Sequence, residues 1–196
     1  MPPKARITKE MILNAVLEIT RGTGFETVNA RSIARKLQCS TRPIFTCYEN
    51  MEELKNDFLD FAFEAYNRYV VDYSNSIKVN PCLLLPLSYI AFAQEETHLF
   101  KLLFISDMDL NMKEEKDFYK EIGNETKAMH FAQMAGIGLE SAKGIFLDLF
   151  LYSHGIAVLT ATNKIALHKN SVEKMVTNVL SALLARNVNN RNEVQE

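Results

Sequence analysis

Apolar residues recur with helical spacing along almost the whole chain. Ile12, Ala15, Val16 and Ile19 fall at i, i+3, i+4 and i+7, predicting a helix from about Thr8 to Arg21 with Thr8 as its N-cap. Gly22 and Gly24 end it, and Phe25 is expected to fold back onto the stripe. Asn29 caps a short second helix with Ile33, Ala34 and Leu37 inward, leaving Arg31, Arg35 and Lys36 off that face. Gln38 and Cys39 make a turn and Ser40 is the next N-cap. A third helix over 41–48 then places Ile44, Phe45 and Tyr48 inward, with Pro43 in the first turn, where a missing N–H is harmless. Asn50 caps a long fourth helix to about Ser74, whose buried stripe is Leu54, Phe58, Phe61, Ala62, Ala65 and Tyr69.

Asn80-Pro81 interrupts the pattern. Cys82 to Phe104 predicts two helices divided near Glu95-Glu96-Thr97, with Thr97 capping the second. A polar stretch from Ser106 to Lys116 leads into a helix from about Lys113 to Met134, ended by Gly136 and Gly138. The next helix, Leu139 to Thr162, is apolar almost all round between Phe146 and Leu159, so it requires cover on more than one side. A last helix, Ser171 to Arg186, precedes a polar, Asn-rich tail over 187–196 that is expected to fray. With only 7 Gly and 5 Pro, the expected class is all-α.

Composition supports a core and narrows the chemistry. The 196 residues are 47% hydrophobic and 23% charged, enough for a globular protein with two subdomains. Net charge is −2, yet residues 1–50 carry +4 and the remainder −6, the asymmetry of a polyanion-binding head on an acidic body. Three unpaired cysteines, Cys39, Cys47 and Cys82, and no signal-peptide pattern point to the cytoplasm. The apolar run Ile145 to Leu159 contains Asp148 and His154 and falls short of the ~20 residues of a membrane span. His98, His130, His154 and His168 are scattered, so no metal site or other cofactor is expected. Neighbouring acidic pairs such as Glu52-Glu53 face different ways on a helix, and no catalytic or nucleotide-binding motif appears, so no enzyme activity is expected.

Three short helices with a tight turn between the second and third describe a helix-turn-helix. The run Gly24-Phe25-Glu26, Arg31 to Leu37 and Ser40 to Leu54 resembles the DNA-binding domain of the tetracycline-repressor family, over residues 8 to about 58. That resemblance implies a head over 1–50, a ligand-sensing and dimerising body over 51–186, and a homodimer on a near-palindromic double-stranded operator. It implies repression released by a small molecule. Arg42, in the first turn of the recognition helix, is the expected base reader, because a guanidinium pairs bidentately with guanine. Thr41 and Thr46 are weaker candidates for reading bases. The resemblance implies that Phe45 and Tyr48 are an aromatic pair that packs and touches the DNA backbone. Ser40 and Pro43 complete the expected DNA-binding set, and Arg31, Tyr48, Lys4, Arg6 and Lys9 are expected at phosphates. The chain departs from the family pattern at Gln38, commonly Gly, at Met51, commonly basic, and at Arg42, commonly Gly or Ala. Those departures keep open a protein-interaction or ligand-carrying module with weak DNA affinity.

In the body, Tyr89, Phe92, Phe100, Phe104, Phe118, Met129, Phe131, Met134 and Tyr152 form a set suited to lining a pocket for an apolar or amphipathic inducer, or to a plain core. The last two helices resemble the family's dimer interface, which implies Phe146, Phe150, Ser153, Ala157, Val172, Met175, Val176, Val179 and Leu183 as contacts between copies.

Overall fold

A computed structural model describes residues 6–106, 112–121 and 123–193, with side chains through 187; among them the chain is helical and carries no strand. The principal helices are α1 (Lys9–Thr23), α2 (Ala30–Lys36), α3 (Arg42–Cys47), α4 (Met51–Ser76), α5 (Leu84–Glu95), α6 (Thr97–Lys101), α7 (Asn124–Ala135), α8 (Leu139–Ala161) and α9 (Lys169–Glu193). The described residues fall into two compact units, one of 6–69 with 95–106, the other of 70–94, 112–121 and 123–193. Helix α4 contributes to both.

In the first unit α1 starts where predicted, because Thr8 Oγ1 accepts a hydrogen bond from the Met11 N–H at 3.2 Å. Gly22 lies inside the helix; Gly24 ends it at φ 89°, a conformation that L side chains rarely adopt. Phe25 stacks on Phe58 of α4, with ring centroids 5.5 Å apart. Asn50 caps α4 as expected, accepting from the N–H groups of Glu52 and Glu53 at 2.9 Å each. Ile12, Val16, Ile33, Ile44, Leu54 and Phe58 are completely buried and form the core of this unit.

The segment from Glu95 belongs here because it is tied in at several points. The Arg21 guanidinium forks onto the Glu96 carboxylate, with Nη2 at 2.7 Å and Nε at 3.0 Å. Tyr69 donates to Glu95 at 3.0 Å. Glu96, not Thr97, occupies the N-cap of α6, which runs on into a π turn over Leu102–Ser106. Phe104 then meets Tyr66 edge-on at 5.0 Å and Phe63 at 5.8 Å.

The second unit departs from the expected continuous helix over Lys113–Met134. Asp117 instead accepts from the N–H groups of Lys113 and Glu114 and folds the chain into a 3-10 turn, Glu115–Lys120. These bonds and one from Lys120 hold its carboxyl down to about 2. Gly123, at φ 88°, then redirects the chain into α7. At 23 residues α8 is long and apolar enough to cross a bilayer, unlike the shorter run counted from sequence; its Ala142, Leu149, Ile156 and Ala161 face is buried inside this unit. The last helix continues to Glu193, beyond the expected end at Arg186; the final three residues lie outside the described ones.

Candidate nucleic-acid interface

The first unit holds α3 through two local devices. Asn29 caps α2, its Oδ1 accepting from the N–H groups of Arg31 and Ser32 at 3.0 Å each, while Ser32 Oγ accepts from Asn29 N–H at 2.9 Å. At the other end of α2, Cys39 N–H donates to Ala34 C=O at 3.0 Å and Gln38 N–H to Arg35 C=O at 3.2 Å, the paired bonds of a Schellman motif. Its left-handed residue is Gln38, at φ 52°, where a side chain costs roughly 1 kcal/mol relative to glycine. The turn therefore carries its left-handed residue without a glycine, at some cost in strain.

Helix α3 begins one residue later than expected. Thr41, not Ser40, stands at its N-cap and makes no side-chain capping bond, and Pro43 sits within the first turn. Ile44 is fully buried and Tyr48 is 2% exposed, and these two anchor the helix. Phe45 is 50% exposed, so it faces solvent rather than the core. Arg42, Phe45 and Thr46 thus share the outer surface of α3, next to exposed Ser40 and half-buried Thr41 and Pro43. Thr46 Oγ1 donates to Arg42 C=O at 3.0 Å, which occupies its only proton.

Tyr48 does not belong to this surface. Its hydroxyl is buried, and burial pushes the phenol up to about 12. Lys9 is likewise diverted: its Nζ lies 3.0 Å from Asp57 and 3.5 Å from Glu53 and sits 4.4 Å above the Tyr48 ring, joining α1 to α4. Hydrogen bonding to Asp57 raises its pKa. Lys36 pairs with Glu18 and Arg21 with Glu96. Arg6, Arg31, Arg35 and Arg42 are exposed and have no carboxylate partner among the described residues. Lys4 lies outside the described residues. Sequence separation hid these pairings, since Lys9 and Asp57 are 48 positions apart and Arg21 and Glu96 are 75.

The residues suited to either a pocket or a core are mostly buried, in both units. Phe100 and Phe104 belong to the first unit, where they pack on each other at 5.3 Å. In the second unit Phe118 lies 4.8 Å from Phe150 and 6.2 Å from Phe146, and Phe131 lies 6.0 Å from Phe146. Tyr89 and Phe92 are buried, Tyr152 is half-buried, and Met134 and Met129 are exposed. The Tyr89 hydroxyl meets His154 Nδ1 at 2.9 Å.

The residues expected as dimer contacts divide by their burial within this chain. Phe146, Ser153, Ala157, Val172 and Val176 are buried by their own chain, and Phe150, Met175, Val179 and Leu183 are half-buried. The open side of α8 lies around the helix from them, where Gly144, Asp148, Leu151, Gly155 and Leu159 are exposed. Leu151 and Leu159 are as apolar as the buried positions, so of this face only Asp148 carries a charge that marks it as outward in the sequence.

No protein-family model matches this chain, and no curated protein matches it in sequence.

Proposed function

We propose that this chain is a sequence-specific DNA-binding regulator, a repressor that acts as a homodimer and responds to a small ligand. The observation that carries the reading is the outer surface of α3, where Arg42, Phe45 and Thr46 project from a helix anchored by Ile44 and Tyr48. A helix set this way after a tight turn enters a major groove, where Arg42 pairs with guanine and Phe45 lies against a thymine methyl. Unpaired Arg31, Arg35 and Arg6 meet phosphates. The likeness of residues 8–58 to the tetracycline-repressor head points the same way. The exposed α8 face with Leu151 and Leu159, 50% and 46% exposed, serves the second copy.

A second reading, a protein-interaction module, draws on the half-exposed Phe45 and on the neutralisation of Lys9, Arg21 and Lys36. Titration of duplex-DNA binding against salt separates the two. A DNA reader loses affinity with a log–log slope near −0.9 per phosphate neutralised, and Arg31→Ala lowers that slope by about one per contact. A slope near zero, or no binding at low salt, favours the interaction module.

A further inference from the structure

The second unit contains an open cleft of about 290 Å3 that the reading above does not use. Ile77 and Val79, with Ala91 of α5, are its half-buried apolar lining residues, and Leu87, Ile90 and Val172 line it while being almost fully buried themselves. Tyr73, near the end of α4, adds an aromatic side. Lys78 and Lys169 also line it, with Glu173 as the carboxylate among its lining residues. Lys78 has no hydrogen bond or ion pair among the described residues. Lys169 lies 5.5 Å over the Tyr73 ring, and neither lysine is neutralised by a carboxylate. Lys169 also begins α9, so the helix dipole adds positive potential at the same place.

We propose that this cleft binds a small organic acid with one carboxylate and an apolar body. The carboxylate meets Lys78 and Lys169, and the body lies against Ile77, Val79 and Ala91. A cation would face two ammonium groups with one carboxylate to offset them. A second carboxylate on the ligand would be desolvated against the apolar wall without a partner. The volume lies at the small end of the ~300–1,000 Å3 usual for ligand sites, which limits the body to a short chain or a single ring. Tyr73 sits on α4, the helix that also carries Leu54 and Phe58 of the first unit's core, so an occupant touches an element shared with the head. The acid's role as effector rests on the proposed regulator function; its binding does not.

The test is calorimetric titration of the full chain, without DNA, using octanoate and phenylacetate against octanamide and phenylacetamide. The acids are expected to saturate one site and to bind at least tenfold more tightly than the amides. A Lys78→Gln/Lys169→Gln double variant is expected to erase that preference while retaining the helical circular dichroism of the parent. Methyl resonances of Ile77, Val79 and Ala91 are expected to shift on adding acid. Failure of both acids to saturate, equal affinity for acid and amide, or an acid preference unchanged in the double variant would overturn the proposal. Operator selection on the same preparation distinguishes such a failure from failure of the DNA-binding reading.

Discussion

Helix α3 of the first unit and the long helices of the second treat their aromatic residues in opposite ways. In the second unit Phe118, Phe131 and Phe146 pack against one another and are almost completely buried, whereas in the first unit α3 holds Phe45 half-exposed on the same surface as Arg42. Long helices that are apolar on several sides lose their aromatics to the core. A six-residue helix pinned by Ile44 and Tyr48 leaves its other positions outward at fixed spacing. The short element is therefore the better candidate for reading a partner, and the aromatic-rich one is chiefly structural.

The largest effect that sharpens this contrast is on stability. Phe118→Ala removes a ring packed on Phe146 and Phe150 and is expected to cost about 3–5 kcal/mol, while Phe45→Ala stays within about 0.5 kcal/mol of the parent in chemical denaturation. Equal losses from the two would erase the distinction between core and contact surface. In binding the order reverses: Arg42→Ala is expected to weaken specific duplex binding by ~1–3 kcal/mol with the melting temperature unchanged. If Arg42→Ala lowers melting and leaves binding intact, the outer surface of α3 is not a reading surface.

Smaller effects probe the local devices that set α3. Asn29→Ala breaks the capping box of α2 and should cost about 1 kcal/mol, measured by denaturation. Gln38→Gly relieves the left-handed residue of the turn and should gain somewhat less than ~1 kcal/mol, because glycine also loosens the unfolded chain. In the second unit, burial lowers the pKa of His154, which contacts the Tyr89 hydroxyl and the Phe150 ring. Its contribution to stability is full above the unfolded value of about 6.5 and is lost as pH falls from there through the folded value, since the unfolded chain takes the proton first. Melting curves between pH 7.5 and 5.5 should show that decline, and His154→Gln should flatten it.

The same contrast governs what was legible in the sequence. Thr8, Asn29 and Asn50 are recognisable as caps because each bonds N–H groups two or three residues away, within reach of any local reading. Gln38 is recognisable as the turn residue for the same reason. Phe45 was misplaced because an apolar residue at helical spacing looks like core, and only the shortness of α3 leaves it outside. The helix expected over Lys113–Met134 failed at Asp117, whose side chain takes backbone N–H groups that a helix would use, and at Gly123. The last helix ran past Arg186 because asparagine's lower propensity amounts to only tenths of a kcal/mol per residue. The pairing of Lys9 with Asp57 and the cleft beside Lys78 and Lys169 join distant positions and left no local signal.

Selection from random duplex DNA by the full chain near physiological salt, with Arg42→Ala in parallel, tests the central claim most directly. Enrichment of a near-palindrome, lost or relaxed at one base position in the variant, is the result expected of a dimer that reads DNA through α3. No enrichment from folded protein, or the same site enriched by both proteins, would contradict it.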